Sequence, residues 1–288
     1  MLAIYKRELR SYFQSMVGCV FVAFLVLFTG IYFTAYNLTA GYPYFSYTLS
    51  GSLIVFIVGI PLITMRSFAE ERKNKTDQLL LTAPVSLTKV VLGKYMAMAT
   101  VVAIPNLIFC LFPLIIKMNG TAYLKVDYIS IAVFFLLGCV YLAIGMFLST
   151  LTESQIIAFI TTFGALLLLY LWNGIMEFLP SSASGCLIGL LLIISVIVFY
   201  IWQITSNWIL SAVLEAAGVI VCVAVYFVKS SVFENLLSRL LGKLAFTDVF
   251  TGITQNHIVD MSGIVLYLSV ITVFIFLTVQ TIQKRRWS

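Results

Sequence analysis

Charge is scarce in this sequence. Only 10% of the 288 residues are charged, whereas 62% are hydrophobic and the mean hydropathy is +1.09. Soluble domains carry about 25% charged residues, so a composition this apolar excludes an ordinary water-soluble domain and places the chain in a lipid bilayer. The net charge of +6 therefore indicates how the chain is oriented in the membrane, and it does not indicate nucleic-acid binding.

Residues that carry catalysis or bind metals are also few. The chain has one histidine, His257, and it contains no HExxH motif, no intramembrane aspartate pair and no GxGD-like arrangement. The five cysteines all lie in apolar runs without a CxxC motif, which favours buried thiols over a metal or redox site. An intramembrane enzyme would need a serine that meets His257 by chance, so this class of protein has little support.

A nucleotide-binding motif and a cleavable signal are absent as well. No GxxxxGK[ST] pattern occurs, so any ATP must be bound by a separate polypeptide, and we expect no cofactor on this chain. The apolar run that begins at Val17 is too long for a signal peptide and follows a basic segment. We therefore expect no cleavage.

The sequence does contain apolar runs long enough to cross a bilayer, which takes about 20 residues. They predict an all-α polytopic membrane protein with about eight transmembrane helices and both termini on the same side. The predicted spans are 17–36, 49–65, 95–117, 128–150, 155–178, 186–204, 208–228 and 262–282. The sixth and seventh spans should form a tight helical hairpin.

Positive charge lies mostly on one side of this topology. Of the 17 Lys and Arg residues, all but five fall at the two termini or between the second and third spans. The five others are Lys117, Lys125, Lys229, Arg239 and Lys243. Segments rich in Lys and Arg remain on the cytoplasmic side of a membrane, so both termini are predicted to be cytoplasmic. The membrane itself is predicted to be the inner membrane of a bacterium. An aromatic belt at the outer interface is predicted for Tyr42, Tyr44, Phe45 and Tyr47.

Two segments are amphipathic rather than spanning. Residues 1–16 place apolar side chains opposite Lys6, Arg7 and Arg10, which predicts a helix lying in the cytoplasmic interface. Residues 232–245 repeat the pattern within an outer region, 230–261, that is otherwise a loop. Phe233 and Leu237 lie on the apolar face of this second helix. It either anchors the chain or gates a pathway.

The densest run of charge lies between Thr64 and Lys94, with an apolar run at each end. A charge costs about 2.5–3.5 kcal/mol at the centre of a bilayer, so this stretch must face water. It is either an ordinary positively charged loop or an element that another protein contacts. A loop that only sets the topology needs no Asp or Glu, so the negative charges in the stretch favour the contact.

The same stretch has the features of a helix, a turn and a second helix. Arg66 and Glu70 are four residues apart, as are Glu71 and Lys75, and such pairs stabilise an exposed helix. A proline at position 84 would end that helix, and the serine at position 86 can cap the next one.

Some residues inside the spans are candidates for a pathway or a gate. Glu215 lies about 12 Å into its span, and at that depth it is either functional or hydrogen-bonded to Ser211 at a helix interface. Pro61 should bend the second span, and Pro105 and Pro113 with Asn106 should bend the third, so both spans that flank the charged stretch are predicted to be kinked. Proline is common in membrane helices, so their role in gating rests on position alone.

Three stretches carry a family resemblance. The first contains Pro61, Thr64-Met65-Arg66, Phe68-Ala69-Glu70-Glu71, Thr76, Leu80-Leu81-Thr82, Pro84-Val85 and Gly93-Lys94. The others are residues 149–155 and the C-terminal part from Phe246 to Trp287. Together they resemble the ABC-2-type permeases, the membrane subunits of ABC transporters, and the last resembles the gliding-motility and multidrug branch. The resemblance covers residues 1–178 and about 230–288.

The resemblance implies a permease that pairs with a second permease copy, identical or homologous, and with a dimer of a separate ATPase that binds ATP and Mg²⁺. The helix from Arg66 to Thr82 would dock into the ATPase, and the turn at Glu153 would be a second contact. The implied coupling residues are Arg66, Glu70, Glu71, Arg72, Thr76, Leu80 and Glu153. The family usually has six spans, so the hairpin at 186–228 would be an insertion in a single permease domain, 1–288.

The resulting prediction is the permease subunit of an ATP-driven exporter, which is not itself an enzyme. Short outer loops favour export over import. Its partners would be the ATPase dimer, the second permease, an accessory protein on the outer side and the lipid bilayer, with no nucleic acid. The alternative is a noncatalytic membrane anchor or scaffold of a surface machine.

Overall fold

The computed structural model describes residues 1–76, 86–180, 182–205, 208–228, 235–242, 245–256 and 260–287. These residues form helices joined by turns and contain no strand, which confirms an all-α polytopic membrane protein. The helices group into two compact units, one made of Met1–Tyr170 with Phe246–Ser288 and the other of Leu171–Ala245. The predicted inserted hairpin lies in the second unit.

The first unit begins with the predicted amphipathic helix, α1 (Leu2–Gln14). Tyr12 is buried, while Lys6 and Arg10 remain exposed on the opposite face. Met16 adopts a left-handed conformation with φ 59°, and it separates α1 from α2 (Val17–Phe33). Helix α2 continues into a π-helical turn, Thr34–Thr39.

The remaining helices follow in chain order. The first unit continues with α3 (Ser46–Thr64), α4 (Ala69–Lys73), α5 (Leu87–Phe109), α6 (Phe112–Asn119), α7 (Leu124–Leu151) and α8 (Gln155–Tyr170). The second unit contains α9 (Trp172–Glu177), α10 (Ala183–Thr205), α11 (Trp208–Val228) and α12 (Leu236–Gly242). The chain then returns to the first unit with α13 (Phe246–Asn256) and α14 (Met261–Trp287).

Five helical segments are long and apolar enough to cross a membrane. They are Val17–Thr39, Ser46–Lys73, Leu87–Asn119, Leu124–Leu151 and Met261–Arg285. The three other predicted spans contain α8, α10 and α11, in which the apolar helical stretches among the described residues are only 10–17 residues long. The chain is therefore a multi-pass membrane protein, and the crossing by these last three helices stays a prediction. The predicted span 155–178 is too long for one helix, because α8 ends at Tyr170 and α9 begins at Trp172.

Helices α3 and α7 form the centre of the first unit. In their most apolar stretches 67% and 72% of the residues are buried, against 17% in α14. Phe56 of α3 stacks on Phe134 of α7, with ring centroids 4.5 Å apart. Gly138 lies directly beneath the Phe56 ring, where an added Cβ would overlap it. A small residue thus allows the two central helices to approach closely, as is typical of membrane bundles.

Large apolar side chains cover the outside of the peripheral helices. Ile156 and Ile160 of α8 and Val265 and Phe276 of α14 are more than half exposed. Water would disfavour this much exposed hydrocarbon, whereas lipid tails accommodate it. This surface is therefore suited to a bilayer.

The third predicted span is interrupted, although not at Pro105. Helix α5 runs through Pro105, the chain turns at residues 110–111, and Pro113 then lies in the first turn of α6. A proline is tolerated there because the first N–H groups of a helix have no intrahelical partner. Pro61 likewise lies inside α3, close to the end of that helix.

The predicted aromatic belt is wrong at Phe45. Tyr42 is exposed, and Tyr44 and Tyr47 are partly exposed, but Phe45 is fully buried. The N–H of Phe45 donates to Oδ1 of Asp127 at 2.8 Å, which holds this turn against α7 and directs the ring into the core. The hydropathy of the segment does not report this hydrogen bond.

In the second unit α10 and α11 pair as the predicted hairpin, and α12 packs against α10. Leu237 is buried against Gly189, and the indole N–H of Trp172 donates to the carbonyl of Leu241 at 2.9 Å. The described helix at 236–242 confirms the centre of the predicted amphipathic segment. Phe233 and His257 lie outside the described residues.

Helix α13 occupies a region that the sequence analysis predicted as a loop. Phe250 and Ile253 are buried, and the Phe250 ring meets Phe134 of α7 edge-on at 5.7 Å. The hydroxyls of Thr254 and Ser50 lie 3.2 Å apart, which ties α13 to α3. The spacing of Phe246, Phe250 and Ile253 is that of a helix face, so the signal was present in the sequence.

Candidate functional site

Four parts of the first unit meet at one end of the bundle, which we term the charged end. They are α1, the turn from α3 into α4, the second turn of α5, and the end of α7. Most of the residues predicted to couple the chain to a partner lie here. The charged end is therefore the candidate functional site.

A buried lysine lies at the centre of this site. The side chain of Lys94 on α5 is only 2% exposed. Its Nζ lies 2.9 Å from Oε1 of Glu71 on α4, 3.2 Å from Oε1 of Glu8 on α1, and 2.9 Å from the carbonyl oxygen of Ser67. It also lies 5.1 Å from the centroid of the Phe68 ring. The ammonium group thus donates one hydrogen bond to a carbonyl oxygen and is ion-paired with two carboxylates.

Arg7 covers this ion pair from the solvent side. Its Nη2 is 2.7 Å from Oε1 of Glu8 and 3.1 Å from Oε1 of Glu71. The hydrogen bond to Glu8 raises the pKa of Arg7 above its ordinary value. The four side chains carry two positive and two negative charges, and we term Arg7, Glu8, Glu71 and Lys94 the charge cluster.

The cluster is costly to disrupt. Oε2 of Glu71 is buried and has no hydrogen-bond partner among the described residues, so this carboxylate depends on its other oxygen and the two cations. Removing one member of a buried ion pair costs about 3–5 kcal/mol, because it leaves the other charge uncompensated. Exposed ion pairs such as those of Arg7 contribute far less.

Helix α4 is shorter than the predicted helix from Arg66 to Thr82. It comprises only Ala69–Lys73 and is followed by a turn in which Lys75 has a left-handed φ of 56°. The predicted pair of Arg66 and Glu70 is confirmed, with Nε to Oε2 at 2.7 Å. The predicted pair of Glu71 and Lys75 is wrong, because the helix ends before Lys75 and Glu71 turns inward to Lys94.

The end of α7 holds α4 in place. Oγ of Ser149 accepts hydrogen bonds from the backbone N–H groups of Phe68 and Ala69, at 3.3 and 3.1 Å. It thereby serves as a helix cap supplied by a distant residue, where α4 has no capping side chain of its own. Arg72 binds the carbonyl of Thr150 at 3.1 Å and the carboxylate of Glu153 at 2.7 Å.

The predicted coupling residues thus fall into two groups. Arg66, Glu70, Glu71, Arg72 and Glu153 form ion pairs within the charged end. Thr76 caps the end of α4, its N–H and hydroxyl both donating to the carbonyl of Glu71, and it is exposed together with residues 73–75. We term residues 73–76 the exposed tip. Leu80 lies outside the described residues.

A cavity of about 590 Å³ lies beside the cluster, between α1 and α4. Its lining includes Arg7, Glu8, Tyr12, Glu70 and Lys94. Burial raises the pKa of the Tyr12 hydroxyl, which donates to the carbonyl of Ile63 at 3.1 Å. One lysine, two arginines and three glutamates line the cavity, so it has no single sign of charge.

The described residues of the predicted pathway or gate belong to both units. Pro61 and Asn106 are buried in the first unit, where Nδ2 of Asn106 donates to the carbonyl of Val102 at 2.9 Å. Leu237 belongs to the core of the second unit. Glu215, in the same unit, is exposed and lines a groove of about 600 Å³ together with Ser211 and two tryptophans. Each of these residues has a local environment of its own.

Metal chemistry has no support in the described part of the chain. No group of three or more His, Cys, Asp and Glu side chains there could hold a metal ion.

Sequence reasoning missed three residues of the site. Glu8 was not singled out, Lys94 was treated as a water-facing charge, and Ser149 had no assigned role. A lysine within the apolar run that opens α5 was a signal that it has a buried partner. Glu8 meets Lys94, and Ser149 meets Phe68 and Ala69, across a large separation in sequence, so no local pattern indicates these contacts.

Comparison with known proteins identifies a family. A family model described as ABC-2 family transporter protein matches residues 6–168. The match contains α1 from Lys6 onward, α4 and Glu153, and therefore the charge cluster and the exposed tip. No curated protein and no solved structure matches the chain.

Proposed function

Because the chain belongs to the ABC-2 family of transporter membrane proteins, we propose that it is the permease subunit of an ATP-driven transporter. A separate ATPase, working as a dimer, would bind the ATP and Mg²⁺. Two permease copies, identical or homologous, would form the membrane part. The assignment to the gliding-motility and multidrug branch stays a prediction.

The observation that carries this proposal is the construction of the charged end. A five-residue helix is too short to be stable alone, since isolated helices of fewer than about 12 residues are marginal. Here Ser149, Arg72 and Lys94 hold α4 to α7 and α5, so its exposed tip projects from a rigid base. A rigid projection beside the membrane is what a docking partner would push against.

The exposed tip is the proposed contact surface. Lys73, Asn74, Lys75 and Thr76 are exposed, whereas Glu70 and Glu71 are 34% and 17% exposed and form ion pairs within the charged end. We therefore assign the docking to the tip and the support of the tip to Arg66, Glu70, Glu71 and Arg72. The side chain of Glu153 is ion-paired with Arg72 and is 73% exposed, and it would form the second contact with the ATPase.

Orientation and direction complete the proposal. The charged end and both termini would face the cytoplasm of a bacterial cell, because Lys and Arg concentrate there. Export is favoured by the short outer turns, such as that between α6 and α7. An accessory protein on the outer side would be a further partner.

The test is purification with native partners from the source membrane, followed by an assay of ATP hydrolysis. A double charge reversal, Lys73→Glu with Lys75→Glu, should reduce the amount of copurified ATPase at least tenfold, because two positive side chains of the proposed contact surface become negative. The matched control is Lys117→Glu with Lys125→Glu, which makes the same change at two exposed lysines outside the charged end. Equal recovery of the ATPase with both double variants would refute the tip as the docking site.

The alternative function, a noncatalytic anchor, makes a different prediction for the same complex. Orthovanadate traps an ATPase after hydrolysis, so in a transporter it should change hydrogen exchange in the permease. An anchor should retain its ATPase or other partner and show no such change.

A further inference from the structure

We propose that Lys94 and Glu8 are positioning residues that make α1, α4 and α5 move as one body when the partner acts on the tip. This inference rests on the proposed function, because it concerns how a push on α4 reaches the membrane helices. It assigns to Lys94 a role other than setting the topology of the chain.

The geometry of Lys94 joins three elements at one atom. Its Nζ forms ion pairs with Glu71 on α4 and Glu8 on α1 and donates a hydrogen bond to the carbonyl of Ser67 in the turn that follows α3, while its backbone belongs to α5. The pair of Arg66 and Glu70, in contrast, joins two residues four apart on the same short segment. Only the first arrangement can transmit a displacement between helices.

The neighbouring residue, Gly93, explains how α1 comes close enough. A Cβ added at Gly93 would lie 3.2 Å from Cγ2 of Ile4 and 3.4 Å from the carbonyl oxygen of Met1. The absence of a side chain at position 93 therefore lets the first turn of α1 lie directly on α5, and the lysine at position 94 then reaches Glu8. Gly93 and Lys94 thus both contribute to the contact between α1 and α5.

Two further hydrogen bonds fix α1 along its length. The hydroxyl of Tyr5 lies 3.1 Å from Oγ1 of Thr100 on α5, and the hydroxyl of Tyr12 donates to the carbonyl of Ile63 at the end of α3. Helix α1 is thus attached to the middle of α5, to the end of α3 and, through Arg7 and Glu71, to α4. A displacement of α4 that preserved the charge cluster would carry α1 and the start of α5 with it.

Separation of these elements is disfavoured because it would leave buried charges without partners. Lys94 is almost completely buried, and Glu8 and Glu71 are 13% and 17% exposed. Water cannot readily replace the lost contacts at such a site. The elements therefore stay together through a conformational cycle.

The test is hydrogen exchange, read by mass spectrometry, on the complete complex with and without ATP and orthovanadate. In the wild-type protein nucleotide trapping should change exchange in three peptides, covering α1, α4 and the start of α5. In Glu8→Gln, which keeps the shape of the side chain and removes its charge, α4 should still respond while the response of α1 falls at least threefold. The matched control is Arg10→Gln on the exposed face of α1, which should respond as the wild type does.

The outcomes separate the two proposals. No nucleotide-dependent change anywhere in the wild-type protein would refute the proposed function. A wild-type response in α1 that persists in Glu8→Gln would overturn only the positioning role. If Glu8 has only a structural role, Glu8→Gln should raise hydrogen exchange in α1 both with and without nucleotide and leave the nucleotide-dependent difference unchanged. That result would also overturn the positioning role. If Glu8→Gln does not fold, Arg7→Gln removes the exposed member of the cluster and should give a smaller loss in the same direction.

Discussion

Lys94 shows at the scale of one residue how the membrane changes what a charge does. A lysine near the cytoplasmic end of a membrane helix can extend along the helix into water. Here the side chain turns inward and meets two carboxylates and a carbonyl oxygen. Each of these acceptors belongs to a different part of the chain, so the side chain orders all of them at once.

This arrangement predicts a large loss of stability on removal of the charge. Lys94→Met leaves Glu8 and Glu71 in place without their buried cation, and the free energy of unfolding should fall by about 3–5 kcal/mol. Thermal unfolding in detergent would measure the effect. Lys89→Met is the matched control, since Lys89 lies on the same helix and is exposed, and it should change the stability by less than about 0.5 kcal/mol.

A second variant distinguishes charge from packing at the same site. Adding Glu71→Gln to Lys94→Met removes one of the two stranded carboxylates, so the double variant should be more stable than the sum of the two single effects implies. Strict additivity would mean that Lys94 and Glu71 do not interact energetically, in disagreement with their 2.9 Å contact.

At the scale of the element, α4 depends on its neighbours rather than on its own sequence. Its N-terminal N–H groups bind Ser149, its arginine binds Thr150, and its glutamate binds Lys94. These contacts come from α5 and from the end of α7. They explain why a helix of five residues persists where propensity alone predicts a longer one.

The packing of α3 against α7 gives an element-scale prediction. Gly138→Ala places a methyl group against the Phe56 ring and should destabilise the protein by about 1–3 kcal/mol, because the ring must move within a filled core. Gly164→Ala is the control, since a Cβ there meets nothing within 4 Å. It should be neutral or slightly stabilising, because alanine favours the helix by up to about 1 kcal/mol over glycine. Unfolding midpoints of the two purified variants would show whether this order holds.

At the scale of the whole molecule, the distribution of charge predicts one orientation in the membrane. A short epitope inserted after Asn74 should be cytoplasmic, and the same epitope after Gly120 should be on the outer side, since the single candidate membrane span Leu87–Asn119 separates the two positions. Antibody binding to intact and permeabilised spheroplasts would distinguish the sides. Labelling of the Asn74 insertion in intact spheroplasts would reverse the proposed topology.

The two units of the chain differ in their relation to the family. The match at residues 6–168 lies wholly within the first unit and ends close to Tyr170, the last residue before the second unit. The second unit contains the predicted inserted hairpin together with α9 and α12. The groove at Glu215 therefore belongs to a part of the chain that the family match does not include.

The apolar composition and the runs of about 20 residues determined the all-α membrane fold, and every predicted span is helical, although a turn divides each of the spans 95–117 and 155–178 into two helices. The local spacing of Arg66 and Glu70 also gave a correct ion pair. Hydropathy and periodicity are properties of neighbouring residues, so a sequence reports them directly. They missed α13, although its apolar spacing was present, because its moderate hydropathy resembles that of a loop.

Only the tertiary structure decided which charges are buried and what they bind. Glu8 and Lys94 are far apart in sequence, as are Ser149 and Ala69, and no local pattern links them. Burial also separates the ion-paired residues of the charged stretch, Arg66 to Arg72, from the exposed tip, 73–76. Composition alone does not distinguish these two groups of charged residues. The physical reason is that the cost of a charge depends on the partners and the solvent that surround it in space, and the helix packing of the first unit determines both.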